Sequence, residues 1–316
     1  MAKRDLAAEL LRELGQDRTQ YHSGEELSVR LGVSRTAVWK AACRLREQGY
    51  AIESVTRLGY RLTALPDGMT KELLEQYLPQ GRGETVICYE ETDSTNTRGM
   101  QLALEGAPTG TVVLADRQTH GNGRLGRSFA SPAGQGVYLS YLLRPDFDPA
   151  ALSLLTSCAG LAVCQVLEQH GLAPAIKWPN DIILDRRKVC GILVEAPVIG
   201  ARYGLIIGVG INLRPIDFPP ELDGIAGSLG NTACRRVDLI AACVRELQTL
   251  LSAPPDAWLP EYRAHSCTLG QPVRILRSGE ELARGIAEDV RPDGALLLRL
   301  PSGALLPITS GEVSVR

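Results

Sequence analysis

The sequence predicts an α+β chain in three parts: a small helical domain closed by a hairpin, a long region mixing strands and helices, and a small all-β segment. Three observations predict it. Leucines at helical spacing, punctuated by capping residues and glycines, fill residues 1–62. Apolar runs of strand length are then interspersed with helical stretches. From about Ser266 onward, short β-rich runs are separated by Gly, Pro, Asp and Ser turns. A length of 316 residues exceeds one typical core and fits two or three domains. The expected divisions are 1–64, 65–266 and 267–316.

Within the first part, Leu6, Leu10, Leu11 and Leu14 mark one helix face, with Gly15 expected as the stop. Ser23 begins a capping box with Glu26 and opens a short helix through Leu31. Gly32 and Val33 form a tight turn. Ser34 then caps a third helix over 35–48, closed by Gly49. Its inner face is Val38, Ala41 or Ala42, and Leu45, and its outer face carries Arg35, Thr36, Lys40 and Arg44. A capped helix, a glycine turn and a second capped helix with a basic face make the helix-turn-helix signature. Strands over 51–55 and 59–62, around Thr56, Arg57 and Leu58, form a wing from which Arg57 and Arg61 reach phosphates. The expected DNA contacts are Ser34, Arg35, Thr36, Lys40, Arg44 and Arg57. A small helical domain that binds protein is the alternative. Residues 1–62 hold 11 Lys and Arg against 8 Asp and Glu, a net +3, so the rest of the chain carries −5 of the overall −2. A basic appendage on an acidic body fits DNA binding.

Residues 63–70, with Pro66, Asp67 and Gly68, are an expected linker. The central region shows β-rich runs at 85–89, 111–115, 136–143, 191–195 and 203–209, and helices at 95–105, 152–171 and 237–251. The last segment shows strands at 271–276, 285–290, 295–300 and 304–308, with turns at Ser278-Gly279, Pro292-Asp293-Gly294 and Ser302-Gly303. A small SH3-like β-barrel is expected there. The 8 cysteines contain no CxxC pair, and most lie in apolar segments, as reduced core thiols do. No apolar run approaches the roughly 20 residues of a membrane span, and the N-terminus is not a signal peptide, so a cytoplasmic protein with no membrane partner is expected.

Three stretches carry chemistry. Gln118–Arg127 places three glycines and two arginines within seven residues. Glycines admit backbone N–H groups close to an anion and let a loop change shape, and arginines are bidentate phosphate donors. The spacing is neither a Walker A motif nor a dinucleotide fingerprint, and a flexible basic turn is the plain alternative. Lys177-Trp178-Pro179-Asn180-Asp181, followed by Arg187, Lys188 and Gly191–Glu195, holds a lysine between apolar neighbours that needs an anionic partner. That partner is a substrate carboxylate and phosphate, or simply a structural acid. Glu91–Thr97, rich in small hydroxyl and amide side chains, caps a helix, forms a polar pocket, or does both.

Together these stretches resemble the biotin protein ligases, specifically the bifunctional class with an N-terminal winged helix. The matching pieces are Asp93–Asn96, Gln118–Arg127, Lys177–Asp181, Lys188 with Gly191–Glu195, and Gly208–Asn212, in the family's order and at similar spacing. The resemblance implies a mixed-sheet α/β ligase domain of the biotin/lipoyl type between the winged helix and the C-terminal barrel. It implies biotin contacts from Ser94, Thr95, Asn96, Gln118, Asn122, Gly123, Arg124 and Lys177. It implies ATP or adenylate contacts from Gly121, Arg124, Arg127, Phe129, Asn180, Lys188 and Asn212, and catalytic roles for Lys177, Arg124 and Asp181. Biotin would be the substrate, ATP with Mg²⁺ the cosubstrate, and a biotin carboxyl carrier protein the acceptor. Operator DNA would be a further partner, bound by a homodimer that forms on biotinyl-5′-AMP. No protein-held metal site is expected.

Two positions depart from the family pattern. Asn122 stands where an arginine is usual, which removes a charge from the loop. Phe129 stands where some members have tryptophan, which leaves a smaller ring to stack on adenine. Two other readings stay open: a lipoate or octanoate ligase on the same scaffold, and a ligand-sensing repressor that has lost catalysis.

Overall fold

The computed structural model describes residues 5–64, 71, 74, 85–144, 152–196, 198–199, 202–230, 232, 234–277 and 279–315. The expected linker residues Pro66, Asp67 and Gly68, and Ser278 of one expected turn, lie outside the described residues. The chain divides into two compact units, Met1–Gln76 and Tyr77–Arg316.

In the first unit, α1 (Leu6–Gln16) starts where the Asp5 carboxylate accepts from Ala7 N, and it buries Ala7, Leu10, Leu11 and Leu14. Gly15 does not end it. A helical glycine costs only about 1 kcal/mol relative to alanine, less than the buried leucine face contributes. The helix stops at extended Asp17, whose carboxylate accepts from Thr19 N at 2.8 Å. Ser23 Oγ accepts from Glu26 N at 3.0 Å and opens α2 (Gly24–Leu31). The box is half formed, because the Glu26 carboxylate pairs with Arg30 at 2.5 Å. Gly32 turns the chain at φ +63°, a conformation that glycine adopts without a Cβ penalty. Ser34 then caps α3 (Arg35–Glu47), which buries Val38, Ala41, Ala42 and Leu45. A hairpin of β1 (Ala51–Val55) and β2 (Gly59–Ala64) follows, registered from Ala51 opposite Ala64 to Val55 opposite Gly59.

The second unit is built on a seven-stranded mixed sheet. Its strands are β3 (Val86–Thr92), β4 (Val112–Gln118), β5 (Gly136–Leu143), β6 (Ala175–Lys177), β7 (Asp181–Leu184), β8 (Arg187–Glu195) and β11 (Leu205–Asn212). The two-residue strands β9 (Val198–Ile199) and β10 (Arg202–Tyr203) pair with each other. The sheet order is β3-β4-β5-β11-β8-β7-β6, with only β3 and β4 parallel. Helix α4 (Thr95–Leu104) lies over β11, where Gly99 meets the Ile206 side chain. Helix α5 (Leu152–Gln169) lies on the other face, where Gly160 approaches Ile176 and Ile192. By length and composition alone α5 could cross a membrane, yet 67% of it is buried inside this unit, packed on α6 (Arg236–Ser252), α7 (Pro255–His265) and the sheet. Burial pushes the thiols of Cys158 and Cys243 up to about 12, and none of the eight cysteines forms a disulfide.

The last five strands form a second sheet ordered β15-β14-β13-β12-β16. They are β12 (Pro272–Arg277), β13 (Glu280–Val290), β14 (Leu296–Arg299), β15 (Leu305–Ile308) and β16 (Glu312–Val315). The expected boundary at 266/267 falls inside the second unit. Fully buried Trp178 crosses it: its backbone N–H donates to Thr268 Oγ1 at 3.0 Å and its indole N–H to Gly294 O at 3.1 Å.

Candidate functional site

The site begins with an alternation. Along a strand, successive side chains point to opposite faces. In β11, Ile207, Val209 and Ile211 are buried in the core, while Gly208 and Gly210 leave the intervening positions of the other face bare. Gly191 of β8 sits directly opposite Gly210. A Cβ on Gly208 would stand 2.3 Å from Asn96 Oδ1, and one on Gly210 would stand 2.6 Å from the Phe129 ring. The glycines thus make a floor on which Asn96 and Phe129 rest.

Over this floor lie two adjoining pockets. The smaller is an open cleft of about 460 Å³, solvent at its mouth included, lined by Ser94, Thr95, Asn96, Gln118 and Asn122 among others. The larger, measured the same way, is about 1100 Å³ and is lined by Arg127, Lys177, Asp181, Asn212, Phe218 and Leu222 among others. Gly123, Arg124, Phe129, Asn180 and Lys188 line both.

The smaller pocket's wall is a chain of hydrogen bonds. Gln118 Oε1 accepts from Thr95 N at 2.8 Å, and Gln118 Nε2 donates to Ser131 Oγ at 2.8 Å. The Ser140 hydroxyl lies 2.6 Å from Asn96 Oδ1 and 2.8 Å from Thr95 Oγ1. Asn96 Nδ2 donates to Glu195 Oε2 at 2.8 Å. Ser94 stands at the N-cap of α4 without a side-chain capping bond, so its buried hydroxyl is left to the pocket. Gln118 spends its amide on this wall, holding the start of α4.

At the junction, Arg124 donates to Asn180 Oδ1 at 3.2 Å, and Asn180 Nδ2 donates to Ile192 O at 2.9 Å. Burial draws the Arg124 pKa down, with Asp181 and Glu312 pulling it the other way. A guanidinium keeps its charge regardless, so a partly buried cation here faces a neutral amide and has capacity for an anion. Lys188 pairs with Asp181 at 2.7 Å. Arg127, on the rim, pairs with Glu312 at 2.6 Å. Asn212 Nδ2 donates to Gly227 O at 2.9 Å, while its Oδ1 is buried without a partner. Phe129 meets Tyr138 edge-on with ring centroids 6.5 Å apart.

Of the ligand-contacting residues expected from sequence, Gly121 alone lines neither pocket. A Cβ there would stand 2.4 Å from Phe129 O, so it is a close-packing position within the loop. Lys177 lines only the larger pocket. Sequence reasoning missed Ser140, Ser131 and Glu312, and gave Glu195 no role. Among the described residues, no group of three or more His, Cys, Asp and Glu could hold a metal ion. Asp181 and Glu312, the acids lining the larger pocket, are engaged by Lys188 and Arg127. The donor set therefore does not fit a protein-held cation.

In the first unit, Ser34, Arg35, Thr36, Lys40 and Arg44 are all exposed on or beside α3, and Arg57 tops the hairpin at φ +72°. Arg35 pairs with Glu25 at 2.5 Å and Arg44 with Asp5 at 3.2 Å, both at the surface. Exposed pairs contribute little and exchange readily for phosphate. Arg61 is more committed, pairing with Glu53 at 2.8 Å and stacking 4.5 Å from the Tyr21 ring centroid.

Comparison with known proteins agrees with this geometry. Residues 88–212 match the biotin/lipoate A/B protein ligase family, residues 7–61 an HTH domain, and residues 268–316 the biotin protein ligase C-terminal domain. The chain is 37% identical over 291 residues to the bifunctional ligase/repressor BirA of Bacillus subtilis (strain 168), covering 90% of this chain and 86% of that protein. It is 32% identical over 306 residues to BirA of Escherichia coli (strain K12), covering 94% of each. The structure of biotin protein ligase from Aquifex aeolicus in complex with biotin and ATP superposes with a TM-score of 0.63 and 29% identity, covering 73% of this chain and 98% of that one. The glycine floor, the Arg/Gly loop and these matches along nearly the whole sequence converge: the chain belongs to the biotin protein ligase family, in its bifunctional ligase/repressor class.

Proposed function

We propose that this chain activates biotin with ATP and transfers it to a lysine of a biotin carboxyl carrier protein, and that it represses transcription from an operator when the activated biotin is bound. The observation that carries the ligase reading is the junction. Two adjoining pockets share Arg124, Asn180 and Lys188, so a ligand in each would meet beneath fixed positive charge.

Biotin occupies the smaller pocket, its ring system against Ser94, Thr95, Asn96 and Gln118, with Asn122 and Gly123 at the loop side. ATP occupies the larger pocket, against Arg124, Arg127, Phe129, Asn180, Lys188 and Asn212, with Gly121 acting through the packing of the loop rather than by contact. The orphaned Asn212 Oδ1 accepts from a nucleotide hydroxyl or amine. Magnesium arrives on the nucleotide, as MgATP. The biotin carboxylate attacks the α-phosphorus and pyrophosphate leaves, giving the mixed anhydride biotinyl-5′-AMP. Negative charge grows on the phosphate oxygens, where Lys177, Arg124 and loop N–H groups neutralise it. Removing one such donor typically costs about 2.7–4 kcal/mol, a hundred- to thousand-fold in rate. The loop carrying Arg124 and Arg127 keeps water from the anhydride. The acceptor amine then attacks the acyl carbon and AMP leaves, with Asp181 orienting Lys188 and the incoming amine.

The functional segments are 1–64 (winged helix), 65–266 (ligase) and 267–316 (an SH3-like barrel), in a cytoplasmic protein. Adenylate binding promotes a homodimer that grips operator DNA through Ser34, Arg35, Thr36, Lys40, Arg44 and Arg57. A ligand shifts such an equilibrium only by its differential affinity for the two states. Transfer of labelled biotin from biotin and MgATP onto a purified carrier domain, wild type beside Lys177→Ala, tests the ligase reading. Transfer by wild type and its loss in the variant are expected. Tight biotin binding without transfer by wild type would leave a repressor that has lost catalysis, and transfer of lipoate in place of biotin would move the substrate class.

A further inference from the structure

The chain has three tryptophans. Trp178 and Trp258 are buried at 1% and 4% exposure, whereas Trp39 on α3 is 52% exposed. A single exposed apolar side chain is ordinary; the position of this one is not. The inner face of α3 is complete without it, since Val38, Ala41, Ala42 and Leu45 are buried. At 100° per residue, Trp39 and Arg46 lie within about 20° of each other around the helix, two turns apart. Arg46 defines where that flank points: its Nε donates to Ile52 O at 2.8 Å and its Nη2 to Ser54 Oγ at 3.0 Å. Trp39 therefore stands on the hairpin side of the helix, next to the exposed outer face of Thr36 and Lys40. Lys40 can neutralise phosphate, but an indole cannot. What it can do is cover apolar surface, and the thymine 5-methyl is the apolar mark of a base pair's major-groove edge.

We propose that Trp39 is a specificity-determining residue for DNA, packing its indole against thymine methyl groups at the edge of the major groove. This rests on the repressor reading and adds to it a named readout. Phosphate contacts set affinity and its salt dependence, whereas base contacts set sequence preference. Trp39 belongs to the second kind.

The test uses the full chain with biotin and MgATP, and a duplex that wild type enriches from a random-sequence pool. Binding is measured to that duplex, to copies with single thymines replaced by uracil, and to an unrelated duplex. Wild type should lose about fourfold at one or two uracil positions, the ratio that burying one methyl carries. Trp39→Ala should bind the enriched duplex more weakly, be indifferent to those same replacements, and keep wild-type affinity for unrelated DNA and an unchanged slope of log affinity against log salt. With the other two indoles buried, DNA should also change the emission of wild type and leave that of Trp39→Phe unchanged. A variant that stays as sensitive to uracil as wild type, or that loses equally on all DNA, would overturn the assignment. If wild type binds no DNA, the repressor reading fails first and takes this one with it.

Discussion

Replacing Ser140 by alanine removes one hydroxyl from the wall between α4 and the sheet. That hydroxyl is 1% exposed and serves Asn96 Oδ1, in a residue 4% exposed, at 2.6 Å. A hydroxyl has one proton, and the shorter contact takes it, so the Asn96 carbonyl loses its donor in the variant. A buried acceptor left unpaired costs about 1–3 kcal/mol. For a domain of this size each kcal/mol lowers the melting temperature by roughly 2–4 °C. The second unit of Ser140→Ala should therefore melt about 2–12 °C below wild type. Asn96 also loses a fixed direction, and biotin affinity should fall about tenfold, equivalent to about 1.4 kcal/mol. Calorimetric melting, with and without biotin, reads both effects. Weaker biotin binding with unchanged melting of the free protein would mean that Ser140 touches the ligand itself and does not act by positioning Asn96.

Arg124→Gly should release biotinyl-5′-AMP faster than wild type, seen as adenylate appearing in the filtrate; equal retention would remove Arg124 from the phosphate. Arg57→Asn keeps a residue type that tolerates the left-handed backbone at φ +72°. It should leave the first unit's stability intact while lowering the salt slope of DNA binding by about one, and an unchanged slope would place Arg57 off the DNA. His265 gives a pH dependence. Burial lowers its pKa, but the Glu261 carbonyl and the Glu168 carboxylate, at 2.9 Å each, outweigh that and hold it above the ordinary value. The charged form is thus favoured by folding. Its stabilisation is full below the unfolded pKa, about 6.5, and is lost as pH rises through the folded pKa. The stability gap between wild type and His265→Gln should be widest in mild acid and close in alkali, and a gap that does not vary with pH would sink the assignment.

The first unit was legible because its signals are local. Ser23, Ser34 and Gly32 act within one turn of chain, and each does what its chemistry suggests. Gly15 misled because a glycine's local preference yields to a buried leucine face. In the second unit, α7 was not among the expected helices; Pro260 inside it disfavours a helix locally, and the burial of Trp258, Leu259 and Tyr262 holds it. Strands β6 and β7, three and four residues long, are too short for periodicity to register. Glycine, arginine and lysine spacing singled out two of the stretches, but the pocket residues themselves were expected only through the resemblance to the biotin protein ligases. Ser140 was not expected, although a signal existed: a lone serine in the strand run Gly136–Leu143. Its meaning depends on β11 lying beside β5 and placing Gly208 opposite it, a non-local pairing that no window of sequence contains.

Trp178 sets a limit on how this enzyme can be cut. The family's catalytic match ends at residue 212, and every residue proposed to touch biotin or nucleotide precedes 213. Yet the neighbour of Lys177 anchors its backbone on Thr268 and its indole on Gly294, both in the separately matched C-terminal segment. A fragment ending at 266 would hold all the proposed contacts and lack the mooring that fixes the lysine's strand end. The C-terminal segment, which also lends Glu312 and Val313 to the larger pocket, is in that sense not an accessory, and a minimal ligase engineered from this chain would have to retain it or rebuild two hydrogen-bond acceptors for one tryptophan.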